Sequence, residues 1–109
     1  MDSLVLESVV EVLCQYSRQY DQFDPSTLPS STLEGLLEVM NQTHNEHRFW
    51  HYIHKNGKTA HLRVRVRGTD VEYGLYLDYS FVKRGFLRKR CCEEKIKAEL
   101  FERNVLGGR

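Results

Sequence analysis

The chain has no apolar run longer than three residues, which leaves nothing to cross a bilayer as a helix. Only two prolines and seven glycines occur in 109 residues, too few for a disordered or fibrous chain. Cysteines number three, an odd count that argues against a disulfide framework and for free thiols in a reducing compartment. The amino terminus lacks the basic start and clean apolar block of a secretory leader, since Asp2 opens it and Glu7 interrupts it. A cytoplasmic location is therefore expected. No internal repeat, nucleophile motif or phosphate-cradling glycine loop is present. Neither a catalytic residue, a cofactor nor a small-molecule substrate is expected.

What is there fits a single globular domain over residues 1–109, with 40% hydrophobic and 28% charged residues. The net charge of +1 conceals a division. Residues 1–47 hold eight acids and one base, Arg18, for −7; residues 48–109 hold fifteen bases and seven acids, for +8. An asymmetry of this size predicts an acidic face and a basic face.

Periodicity predicts a first helix over about 3–20, with Leu6, Val9, Val10 and Leu13 on one stripe and Asp2 or Ser3 as its cap. Leu4, Val5 and Val12 lie off that stripe, so the helix is apolar on more than one side. In so small a domain this points to self-association, a homodimer through Leu6, Val9, Val10 and Leu13. Pro25 and Pro29 mark a loop over 21–30. A second helix follows over about 32–43, with Ser31 and Glu34 spaced as a capping box.

Residues 48–81 read as a three-stranded antiparallel meander. Asn56-Gly57 suits a two-residue type I′ turn, and Gly68-Thr69 a type II′ turn. These turns pair Ile53 with Ala60, His51 with Leu62, Leu62 with Leu75 and Val64 with Tyr73, all on one apolar face. The opposite face would carry Trp50, Tyr52, Arg63, Arg65, Arg67 and Tyr76. A last helix is expected over about 86–104, preceded by the basic run KRGFLRKR from Lys83 to Arg90, with an unpacked tail at 107–109. The expected class is α+β, in the order α-α-β-β-β-α, with the helices on one sheet face. From the second helix onward the order α-β-β-β-α resembles double-stranded-RNA-binding domains, as does the placing of Lys83, Arg84 and Arg88 before the last helix. That resemblance covers element order and charge. The two-residue first hairpin is shorter than the loop such domains use, and Gly85 interrupts the basic cluster.

His44, His47, His51 and His54 would share one face of a helix, but aromatic and β-branched residues followed by Asn-Gly make this stretch a strand. No metal site is expected. Cys91-Cys92 reads as one buried and one half-exposed thiol on the last helix. His54, His61, Tyr52, Tyr76 and Asp78 form the best acid–base cluster, on an open sheet without a pocket. The function expected is therefore binding: a small regulator, dimeric, acting on another protein through Trp50, Tyr52, Arg63, Arg65, Tyr76, Lys83, Arg84 and Arg88. The alternative is a nucleic-acid-binding module using the same arginine–aromatic face and basic cluster. A sequence pI of about 7.8 favours the protein partner.

Overall fold

The computed structural model describes residues 2–42 and 48–107. Helix α1 spans Ser3–Gln15, two 3₁₀ turns follow at Tyr20–Gln22 and Pro25–Thr27, and α2 spans Ser30–Gln42. Four strands come next, β1 Arg48–Ile53, β2 Thr59–Arg67, β3 Asp70–Leu77 and β4 Ser80–Arg88, and α3 spans Lys89–Gly107. The sheet is antiparallel in the order β1-β2-β3-β4. The class is α+β, as expected, but the sheet has four strands and not three.

Asp2 caps α1 by accepting the Val5 N–H at 2.9 Å. The helix ends earlier than its apolar pattern suggests, because Arg18 takes a φ of +59° and turns the chain back. Arg18 then donates its backbone N–H to the Phe86 carbonyl at 3.0 Å, and Ser17 Oγ accepts the Phe86 N–H at 3.0 Å. Those two bonds cover part of the β4 edge, where unpaired backbone groups would otherwise recruit another strand. The α2 helix starts at Ser30, with Leu33 N–H bonded to the Pro29 carbonyl at 3.1 Å. Ser31 therefore lies inside the first turn and is not its cap. Arg103 of α3 fastens the preceding loop by donating to the carbonyls of Pro25, Ser26 and Leu28 and to Ser30 Oγ.

The core lies between the helices and one face of the sheet. Leu6, Val9, Val10 and Leu13 are 0–4% exposed and belong to it. Val12 is buried as well, because α1 meets α2 on one side and the sheet on the other. Of the apolar excess of α1, Val12 is thus absorbed within the chain, while Leu4 stays 80% exposed. This corrects the expectation that those four residues form a self-association surface: they are not exposed to a partner while the fold is intact.

The β2–β3 hairpin has the expected register, with Arg65 opposite Glu72 and Val64 opposite Tyr73. Gly68 at the first turn position has a φ of +62°, as a type II′ turn requires. The β1–β2 hairpin differs by one residue. Gly57 N–H bonds to His54 carbonyl at 2.8 Å and His54 N–H to Lys58 carbonyl at 2.9 Å, so the loop holds three residues. Gly57 alone has positive φ, +83°, while Asn56 does not, which is a type I turn closed by a left-handed glycine. Trp50 consequently pairs with Leu62, His51 with His61 and Tyr52 with Ala60. A slip of one residue exchanges the faces of β1. Tyr52 and Trp50 turn towards the core, and His51 and Ile53 turn outward.

The fourth strand occupies what the sequence suggests to be loop and helix start. Asp78 and Tyr79 form a two-residue turn with φ of +47° and +67°, the type I′ geometry, without the usual glycine or asparagine. Val82 is then bulged between the pairs Tyr76–Phe81 and Leu75–Lys83. The strand order α-β-β-β-β-α removes the likeness to double-stranded-RNA-binding domains, and Arg84 and Arg88 lie within a strand.

Candidate functional site

The helices lie on one side of the sheet, and among the described residues no helix or strand covers the other, which Arg18 and Tyr20 approach only at the β4 edge. Alternation places Arg63, Arg65 and Arg67 of β2, Glu72, Gly74 and Tyr76 of β3, and Arg84 and Phe86 of β4 on this open face. The acids of the first half, Glu7 and Glu11 on α1 and Glu34 and Glu38 on α2, belong to the helix layer. The charge division along the chain is thus kept only in part: acids of α1 and α2 lie on the helix side and arginines of β2 and β4 on the open face, while α3 carries bases of its own.

The open face has two ends. Towards the 54–58 and 78–79 turns it is aromatic. His51 and His61 have ring centroids 4.4 Å apart, Tyr79 sits edge-on to His61 at 4.7 Å, and Tyr76 sits edge-on to Phe81 at 5.6 Å. Gly74 leaves room beside Tyr76: a Cβ built on it would lie 3.3 Å from the Tyr76 ring. His61, Arg63, Tyr76 and Tyr79 line a shallow hollow of about 290 Å³. Tyr79 itself is 81% exposed. A bulky residue at positive φ is strained by about 1–2 kcal/mol, strain that glycine would not feel. Both Tyr79→Gly and Tyr79→Ala remove the ring, but only glycine relieves the backbone. The Tyr79→Gly protein is expected to be about 1 kcal/mol more stable than Tyr79→Ala by urea denaturation, and equal midpoints would refute the strain.

Towards the Gly68-Thr69 turn the face is made of arginines around one carboxylate. Glu72 is only 5% exposed because guanidinium groups lie over it. Arg65 Nη2 donates to its Oε1 at 3.1 Å and Arg67 Nε to its Oε2 at 2.9 Å, while Arg84 Nε stands 3.8 Å from Oε1. Burial alone would raise the Glu72 pKa, but the hydrogen bonds from Arg65 and Arg67 outweigh it and hold the carboxyl below its ordinary 4.5. A group depressed in the folded state adds stability above its unfolded pKa and loses it as pH falls through the folded one. Acidification below about pH 4.5 is therefore expected to cost the wild type more stability than Glu72→Gln, in paired thermal melts. Parallel losses in the two proteins would remove Glu72 from the account.

Two more arginines stack at the β4 edge. Arg18 lies 4.3 Å above the Phe86 ring, and Arg88 5.0 Å above Tyr20, whose hydroxyl donates to Asp70 Oδ2 at 2.9 Å. Arg63, opposite Gly74, has no carboxylate partner among the described residues.

Of the eight residues expected to bind a partner, the structure brings Arg63, Arg65, Tyr76 and Arg84 onto one surface, with Arg88 at its margin. Trp50 and Tyr52 are corrected to the inner face by the one-residue shift of β1. Tyr52 is 6% exposed and its hydroxyl has no partner among the described residues; burial, with Glu7 and Cys14 nearby, pushes its pKa up to about 12. Lys83 lies across the bulge from the arginines, lining a cleft on the helix side with Glu7 and Glu11. The sequence placed Arg67 on this face beside Arg63 and Arg65, and the structure agrees; it did not single out Tyr79 or Phe81 for binding.

The acid–base cluster does not assemble. Tyr52 faces the core, Asp78 occupies a turn, and His54 Nε2 stands 3.7 Å from Glu7 on the helix side. Among the described residues no group of three His, Cys, Asp or Glu could hold a metal ion, and His44 and His47 lie outside those residues. Cys92 is fully buried, which pushes its thiol up to about 11, while Cys91 is half-buried. No helix among the described residues is long and apolar enough to cross a membrane. A scan against protein-family models gave no match, and neither did searches of curated proteins and of solved structures.

Proposed function

We propose that the protein is a non-catalytic nucleic-acid-binding module that holds a single strand on the open face of its sheet. One observation carries this reading: four arginines, Arg63, Arg65, Arg67 and Arg84, share an uncovered sheet face with the rings of His61, Tyr76, Tyr79 and Phe81. From His61 to Arg67 the face runs about 20 Å at roughly 3.3 Å per residue, room for several nucleotides. Aromatic rings on a sheet stack against unpaired bases, each stack being worth about 1–3 kcal/mol, and guanidinium groups meet the phosphates. A duplex hides its base faces, so the rings would contribute nothing to holding one. The near-neutral pI, which argues against a nucleic-acid partner for the chain as a whole, loses force where Arg63, Arg65, Arg67 and Arg84 share one face and the acids of α1 and α2 lie on the other side of the sheet.

The test compares a short oligouridine with a duplex of random sequence at the same salt. The strand is expected to bind more tightly, with affinity falling by roughly 0.7 log units per phosphate contact for each tenfold rise in salt. Equal binding of the duplex would reject the single-strand reading. A second reading, a regulator that binds another protein, is favoured by the net charge of +1. It would be preferred if neither nucleic acid binds and an acidic peptide does.

A further inference from the structure

The arginine end of the open face holds more positive charge than its own carboxylate neutralises. Arg65, Arg67 and Arg84 surround a single Glu72, leaving an excess of two charges. Arg88 and Asp70, opposite each other on β4 and β3, cancel and do not alter that excess. Glu72 is the floor of the cluster, while the Arg67 and Arg84 side chains are 60% and 55% exposed. A guanidinium has five N–H donors, and Glu72 engages only a fraction of those present. The remaining donors on the solvent side suit an anion with several acceptor oxygens.

We propose, on the basis of the reading above, that this cluster is a subsite for a terminal phosphate, the phosphomonoester at one end of a single strand. A phosphodiester within a strand carries one negative charge and leaves one arginine charge unmatched. A phosphomonoester carries about −1.5 to −2 at neutral pH, which matches the excess. Its position agrees: the cluster lies at the Gly68-Thr69 end of the sheet, and Tyr76, Tyr79 and Phe81 lie towards the other end. A strand anchored by its terminal phosphate at the arginines would run its first bases towards the rings. The chemistry is shared by 5′ and 3′ ends, and the experiment separates them.

Oligouridines of one length, bearing a 5′-phosphate, a 3′-phosphate or hydroxyls only, are titrated against the full chain by fluorescence anisotropy. One phosphorylated end is expected to bind about tenfold more tightly than the hydroxyl-ended strand. The Arg67→Gln/Arg84→Gln variant should lose that preference. Arg90→Gln, which removes a charge from α3, should keep it. Equal affinity for phosphorylated and hydroxyl ends overturns the subsite and leaves the single-strand reading standing, as does a preference that survives the double substitution. If no oligouridine binds, that reading fails, and inorganic phosphate followed at the arginine Nε–H signals decides the subsite alone. Shifts at Arg65, Arg67 and Arg84 then support it, and unmoved signals overturn it.

Discussion

Gly85→Ala is expected to destabilise the protein by about 3 kcal/mol or more, beyond the usual range for one added methyl group. A Cβ at this position would lie 1.7 Å from Tyr73 Cε1, 2.3 Å from Cζ and 2.4 Å from the hydroxyl oxygen. Tyr73 is 1% exposed and its hydroxyl donates to Cys14 Sγ of α1 at 3.1 Å, so the ring is held between sheet and helix. Relief requires moving a buried ring, a helix or the edge strand, and each sacrifices packing. Urea denaturation of Gly85→Ala measures the loss. Repeating it with Tyr73→Leu in both backgrounds tests the cause, because a smaller side chain should remove most of the penalty. A penalty that persists without the ring would place the strain elsewhere.

The second large effect concerns binding rather than stability. Replacing Arg63 and Tyr76 together by alanine should weaken oligouridine binding about a hundredfold, one base stack and one phosphate contact being lost. Both residues lie on the face opposite the core. Folding stability should therefore change by no more than about 1 kcal/mol, the scale of cross-strand surface pairs. The comparison variant is Arg90→Ala/Lys97→Ala, which removes two charges from α3, where Arg90 pairs with Glu94 and Lys97 with Glu93. Its affinity should fall only slightly. A similar loss from both double variants would mean that bulk charge, and not this face, holds the strand.

Much of this architecture is legible in the sequence, and the exceptions have physical causes. Alternation on β2 puts arginines on one face and Ala60, Leu62 and Val64 on the other, so any slip there would bury charge. Strand β1 carries no such penalty. Both of its faces hold apolar or aromatic residues, Trp50 and Tyr52 on one and His51 and Ile53 on the other. The Asn56-Gly57 pair suits either a two-residue or a three-residue loop, and only the backbone angles separate them. Strand β4 is hidden for a different reason. Its turn at Asp78-Tyr79 has positive φ without glycine, its bulge at Val82 breaks the alternation, and Gly85 resembles an interruption. That glycine is instead the gap into which Tyr73 fits.

The charge division was legible too, but its meaning needed the layers. Two acids of the second half, Asp70 and Glu72, lie among the arginines, so the halves of the chain are not simply the two faces. Arg63 and Tyr76 could be assigned to one surface because the β2–β3 register follows from a single glycine-first turn. The misassignment of Trp50 and Tyr52 follows from β1 alone, and their place on that surface is taken by His51 and Tyr79.

The most direct test of the central claim is a chemical-shift map of the full chain titrated with oligouridine. Shifts are expected at Arg63, Arg65, Tyr76, Tyr79 and Arg84, with the amides of α2 unmoved, since that helix lies on the far side of the sheet. Saturable binding whose shifts fall on α1 and α2 and spare the open face would contradict the account.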